Sequence, residues 1–291
     1  MSPTNALRVI ESIVDDLDMS LNSELMDTKD TDGRFIGRYL VLSKLGSGAA
    51  GVSFAAYDPR RDCKVSLELI DDQEASRSSV WRRHLQEAQV LTQLDHPNIL
   101  AVHELGVHED QRFMATELSA DRTMRRWLRG AGQPRTWREI LAVFTAAGRG
   151  LAAARRQGLV HRCFGPDEVL VGKGGRVRVR AAGFTIARAE LDREFRFNFC
   201  AALFEALHGR RPKPGDHGGE LPRDSKVPAW LHAAVLRGLA PDPSERYGDL
   251  GELLAALEPP SPVADWCVKL SLATLATGAL GLAIGLAMNL L

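Results

Sequence analysis

A chain of 291 residues can bury one large core or two modest lobes. Its 37 basic and 37 acidic residues balance, so no global field draws it to nucleic acid. Four cysteines, Cys63, Cys163, Cys200 and Cys267, stand far apart without a Cys-x-x-Cys pair, which argues against a zinc site or a disulfide framework and fits a reducing compartment.

The chain opens on an acidic segment, residues 1–33, with no basic stretch leading into an apolar run, so no signal peptide is expected. Within it Leu7, Ile10, Ile13, Val14, Leu17 and Leu21 recur at helical spacing beside Glu11, Asp15, Asp16 and Asp18. That pattern suits a docking helix or a weakly ordered leader, and residues 27–33 read as linker. From 36 to 70 the pattern is strands: "RYLVLSKLG", a glycine turn, "VSFAAYD", a loop at 59–62, then "CKVSLELI". A helix follows at 80–94, and apolar stretches at 99–105 and 112–118 supply two more strands. Beyond Arg122 the periodicity predicts helices at 123–129, 137–157, 198–208 and 230–239, interrupted by the hairpin-like "VLVGKGGRVRV". Strands first and helices second predict an α+β chain of two lobes.

The segment 270–291, from Leu270 to Leu291, carries no charged side chain and only Ser271, Thr274, Thr277 and Asn289 as polar ones. As a helix it would extend about 33 Å, enough for a hydrocarbon core of roughly 30 Å. Trp266 and Lys269 stand where an interfacial aromatic and a cytoplasmic positive charge belong. The expectation is a single transmembrane helix at 270–291, a juxtamembrane linker at 259–269, and a cytoplasmic N-terminal domain. Gly281 and Gly285, with Ala279, Ala283 and Ala287, form a small-residue face through which two such helices could pair.

A family resemblance enters with the glycine turn. Gly46-Ser-Gly48-Ala-Ala-Gly51-Val52 lies between two strands, which excludes the dinucleotide-binding arrangement and resembles the loop that protein kinases place over nucleotide phosphates. Further motifs follow in kinase order. "KVSLEL" stands where Val-Ala-x-Lys would be, "HLQEAQVLTQLDHPNIL" resembles the helix that presents a glutamate, here Glu87, and "GLVHRCFGPDEVLV" resembles a catalytic loop. "AAGFTIAR" occupies the place of Asp-Phe-Gly, and "LRGLAPDPSERYGDLGELLAAL" resembles the closing helices. The colinear series is most similar to membrane-anchored bacterial Ser/Thr protein kinases. It implies a two-lobed protein-kinase-like fold over 34–258, with an N-lobe at 34–119 and a C-lobe at 120–258.

The resemblance also assigns the groups of phosphoryl transfer, and the sequence departs from them. The phosphate-gripping lysine falls at Glu68, the catalytic base at Cys163, the loop lysine at Gly165, the second-metal asparagine at Glu168 and the metal-binding aspartate at Ala181. A missing base alone costs about 10²–10⁴ in rate, and lysine and metal ligands supply the main electrostatic stabilisation. The segment after Arg188 already looks like the next helix, so the peptide platform and its Ala-Pro-Glu are missing. Arg246 thereby loses its usual glutamate, and Arg162 a phosphorylated loop to hold.

The implied function is a catalytically inactive pseudokinase serving as a membrane-tethered scaffold or allosteric regulator. The alternative is a divergent Ser/Thr kinase or nucleotidyl transferase with an altered ATP and metal site, built around Glu168. Gly46, Gly48, Gly51 and Val52, a hinge at Thr116, Glu117 and Ser119, and the pocket-floor Leu170 make a vestigial nucleotide pocket that leaves residual ATP binding open. No cofactor and no metal are expected. The expected partners are other proteins, active kinases or membrane signalling proteins among them. Glu68 and Glu87 would face each other as like charges, which predicts that one protonates or that the Glu87 helix swings outward. The cluster Arg122, Arg125, Arg126 and Arg129 reads as a solvated helix face.

Overall fold

A computed structural model of the chain describes residues 34–48, 51–70, 86–87, 89–109, 111–130, 134–213 and 225–259. The acidic segment 1–33 and the expected membrane helix 270–291, with Gly281 and Gly285, lie outside the described residues. Among the described residues no helix is long and apolar enough to cross a membrane.

The first lobe is a six-stranded antiparallel sheet of β1 (Phe35–Ile36), β2 (Tyr39–Gly48), β3 (Gly51–Asp58), β4 (Cys63–Ile70), β5 (Val102–His108) and β6 (Gln111–Glu117), in the order β1-β2-β3-β4-β6-β5. Period-two alternation sorts its faces. Val65, Leu67 and Leu69 of β4 enter a core with Ile36, Tyr39, Val41, Ala56 and Phe113, which leaves Glu68 on the opposite face. Buried Asp58 closes the turn between β3 and β4 by accepting from Arg38 Nε at 2.9 Å, Arg60 N–H at 2.9 Å and Arg61 Nη1 at 3.1 Å.

The strand expected at 99–105 begins later, because the second lobe has taken its first backbone groups. Leu100 N–H donates to Val179 C=O and Val179 N–H to Asn98 C=O, each at 2.9 Å, and Ile99 bridges Val179. Residues 86–87 and 89–93 are helical, so the described part of the Glu87 helix lies where the periodicity put it.

The second lobe is mainly helical: α1 (Met124–Arg129), α2 (Trp137–Arg156), α3 (Ala189–His208), α4 (Ala229–Gly238) and α5 (Leu250–Ala256). Thr136 and Glu139 cap α2 reciprocally, satisfying two of the amide groups that a helix start leaves orphaned. Its buried face, with Ile140, Phe144, Ala147 and Leu151, meets Phe164, Phe195 and Phe199 in a group of edge-on and stacked rings. Small sheets complete the lobe. β10 (Val177–Val179) pairs with β9 (Val169–Val171), which pairs with β7 (Arg122–Thr123), and β11 (Phe184–Ile186) pairs with β8 (Leu159–His161).

Only Ala187 and Arg188 separate β11 from α3. The helix therefore starts well before the periodic stretch at 198, as the resemblance implied, because its charged first turns hide the apolar spacing. Arg246 is not left without partners. Its Nε donates to Ala240 C=O at 2.7 Å, and its guanidinium lies 4.8 Å from the centre of the Phe197 ring on α3. The basic cluster near α1 is also not wholly solvated: Arg125 reaches Asp167 at 2.7 Å and Glu205 at 2.8 Å.

Candidate functional site

The residues that the sequence singled out fall on β2, β3 and β4, on the Glu87 helix, on the end of β6 and the stretch after it, and on the second-lobe segment from β8 to β11. Pairing of β2 with β3 sets Gly46 against Ser53, Ser47 against Val52 and Gly48 against Gly51. Gly51 has φ 128°, a conformation that side chains disfavour. Pairing of β3 with β4 then sets Val52 against Leu69 and Ser53 against Glu68, which brings the carboxylate beside the glycine strands. Thr116, Glu117 and Ser119 lead from β6 toward the second lobe, with Thr116 buried. Leu170, buried on β9, stands opposite Arg178 of β10, so the two share one face of that small sheet.

That face carries a feature absent from the sequence expectations. The stretch Arg176-Val177-Arg178-Val179-Arg180 alternates strictly. Val177 and Val179 enter the core, and the three arginines project to the other side, the side of Leu170. Arg176 Nη2 meets Asp121 Oδ1 at 3.0 Å. Arg178, with a side chain 8% exposed, bonds the Glu117 carboxylate, Ser119 Oγ at 2.8 Å and Asp121 Oδ2 at 3.1 Å. Arg180 bonds the Glu68 carboxylate, which also accepts from Ser53 Oγ at 3.4 Å. Burial opposes ionisation of Asp121, but the guanidiniums of Arg176 and Arg178 hold it below the usual carboxylate range.

Glu68 and Glu87 therefore do not confront each other unpaired. Glu68 has Arg180, while buried Glu87 accepts from Thr185 Oγ1 and from Ile186 N–H at 3.2 Å, both on β11. A direct bond joins the Glu87 helix to the strand leading to α3. Separate partners remove the repulsion that motivated the expectation.

The loop after β8 keeps its backbone course. Arg162 N–H donates to Gly183 C=O at 2.8 Å, and Glu168 N–H to Gly165 C=O at 3.0 Å. A Cβ on Gly183 would lie 2.1 Å from the His161 ring, so the glycine is required by the buried histidine beside it. Burial alone pushes His161 down to about 4, because nothing offsets the cost of a buried charge except one backbone carbonyl. Cys163 is exposed. Glu168, adjoining Arg180 through the bond from Arg180 N–H to its carbonyl at 2.8 Å, is raised to about 7, by burial first and by neighbouring Asp167 second. Ala181, at the place of the metal-binding aspartate, is 2% exposed and belongs to the apolar core. Among the described residues no three His, Cys, Asp or Glu side chains gather as metal ligands would.

Arg178, Arg180 and Thr185 are the site residues that the motifs did not supply. For the arginines a signal was present, since "RVRVR" is a period-two pattern with cations on one face. For Thr185 there was none, because its partner is 98 residues away.

A family model for protein tyrosine and serine/threonine kinases matches residues 40–197. The serine/threonine-protein kinase PknL of Mycobacterium tuberculosis is 27% identical to the chain, covering 76% of it and 65% of PknL. PrkC of Bacillus subtilis, also a serine/threonine-protein kinase, is 24% identical, covering 74% of the chain and 39% of PrkC. The chain thus spans less than two thirds of the length of these relatives. Among solved structures, the Mycobacterium tuberculosis PknI kinase domain superposes with a TM-score of 0.63 at 26% identity, covering 77% of the chain and 96% of that domain. A doubly substituted form of the same domain gives 0.66 at 23% identity.

Proposed function

The chain belongs to the protein tyrosine and serine/threonine kinase family, and from that membership we propose that it is a catalytically inactive member, a membrane-tethered scaffold or allosteric regulator of other proteins. The observation that carries this reading is the state of the metal-binding position. A buried methyl, Ala181, stands there, and the arginine just before it bonds the carboxylate that replaces the phosphate-gripping lysine.

A magnesium nucleotide fits this donor set poorly. Glu68, paired with Arg180, supplies no cation for phosphate oxygens, burial opposes the charged form of Glu168 that a metal would need, and exposed Cys163 offers no carboxylate base. Phosphoryl transfer consists mainly of positioning and charge stabilisation, so the loss of these groups together removes most of the machinery. Because they act as a unit, Cys163→Asp alone is expected to remain inactive.

The working surfaces in this reading are the region around the Glu87 helix, the lobe face left open by the short connection before α3, and the acidic segment 1–33. Proteins that they would engage include active kinases and membrane signalling proteins. The apolar segment 270–291 would hold the domain at the cytoplasmic face of a membrane. Deleting residues 266–291 is expected to release the protein to the soluble fraction; retention on the membrane would remove the anchor from this account.

The activity test uses the full chain in detergent, incubated with γ-labelled ATP and Mg²⁺ or Mn²⁺, alongside a thermal melt with the same additions. The expected result is no label transfer and no metal-dependent rise in melting temperature. Metal-dependent transfer that disappears in Glu168→Ala would establish the rival reading, a divergent transferase.

A further inference from the structure

Active kinases bring their lobes together around a bound nucleotide, gripped from the first lobe by a lysine that a glutamate on the neighbouring helix positions, and glutamate stands at that lysine's place here. We propose that the arginine ladder is a clasp that joins the two lobes along the cleft, through Arg178 at the hinge and Arg180 at Glu68, with Arg176 bracing Asp121 within the second lobe.

Three features of the ladder support this. Its direction runs along the cleft: Arg178 takes hold of Glu117 and Ser119 at the hinge, and Arg180, two residues on, takes hold of Glu68 on β4. The rungs therefore join the second lobe to the first at two separated points. Its face is the one that carries Leu170, the residue opposite Arg178 on β9 and the expected floor of the nucleotide pocket. Its charges are matched, so the rungs close on carboxylates: Asp121 takes two of them and Glu117 and Glu68 one each. The polarity across the Glu68 position is reversed relative to a kinase, with the anion on the first lobe and the cation on the second.

A second contact, chemically unrelated, acts in the same sense. Glu87 on the first lobe accepts from Thr185 and Ile186 on β11. Each contact gives one of the two first-lobe glutamates its own partner on the second lobe. This arrangement is independent of whether the chain transfers phosphate, so its failure would leave the activity reading untouched, and the label-transfer test would still decide that reading.

The test is a charge-swap cycle on the full chain in detergent, free of nucleotide: Glu68→Arg, Arg180→Glu and the double variant. Two readouts are taken, the thermal midpoint and hydrogen exchange at the backbone amides of β4, β11 and the hinge 116–119. Each single reversal sets like charges against each other and is expected to lower the midpoint by on the order of 5 °C. It should also speed exchange at β11 and β4, on both sides of the cleft. The double variant is expected to recover more than half of the loss and to restore slow exchange. Additive losses in the double variant would overturn the clasp. So would single variants whose cleft amides exchange as slowly as those of the unaltered chain, because the pair would then stabilise one lobe without joining two. If a reversal does not accumulate as folded protein, Glu68→Gln, Arg180→Gln and their combination provide the same cycle at lower cost, read by the same criteria.

Discussion

At the hinge end of the cleft Arg178 holds Glu117, Ser119 and Asp121, while at the far end Arg180 holds Glu68 beside the glycine strands. The two arginines sit two residues apart on one strand face, yet their surroundings differ. At the hinge end Arg178 and Asp121 are enclosed and joined in a network of several hydrogen bonds, with Glu117 half-exposed at its edge. At the far end the Arg180 side chain is 30% exposed and has one carboxylate partner among those described, and burial raises Glu168 nearby to about 7. The hinge needs only to connect two lobes, whatever chemistry the cleft performs. The far end carries a single ion pair at the position where the kinase resemblance puts the phosphate-gripping lysine.

This contrast can be broken at its stronger side first. Arg178→Met removes the common partner of a buried group and is expected to cost about 3 kcal/mol or more, read as a lower denaturant midpoint at unchanged slope. An effect under 1 kcal/mol would mean that the hinge network contributes little to holding the lobes. Gly183→Ala tests whether the retained loop course depends on packing. With its new Cβ inside the His161 ring envelope, the variant is expected to lose about 1–3 kcal/mol in the same assay.

The two ends should also respond to pH in opposite directions. Asp121 is held below its ordinary value of 3.8, so its contribution is present above that pH and is lost as pH falls through the lowered value. Glu168 is raised from 4.5 to about 7, so its contribution is fully present below 4.5 and is lost as pH rises through about 7. Glu168→Gln is expected to flatten the decline in stability between pH 5 and 8 and leave the acid limb unchanged. A decline as steep as that of the unaltered chain would place its cause elsewhere. The smallest effect belongs to Arg176, the outer rung, which is 58% exposed; Arg176→Ala is expected to change stability by less than about 0.5 kcal/mol.

Much of this was legible from residue order. The early strands, the helical second half and the colinear motifs are local patterns, and the described structure follows their order. Boundaries were missed where the decisive contact was remote. β5 starts late because the backbone at 98–100 pairs with Val179, and α3 starts early because its first turns are charged on the outside and carry no apolar rhythm.

The sequence by itself determined the fold class and the two-lobed order. Those follow from short-range periodicity and from side-chain chemistry that does not change with context. Which charges meet was decided only by the tertiary structure. Glu68 and Arg180 are 112 residues apart, and a strand's two faces are equivalent until packing buries one of them. Once Val177 and Val179 were buried, the arginines between and beside them had to take the other face, and the carboxylates that looked mutually repulsive in the sequence each acquired a partner.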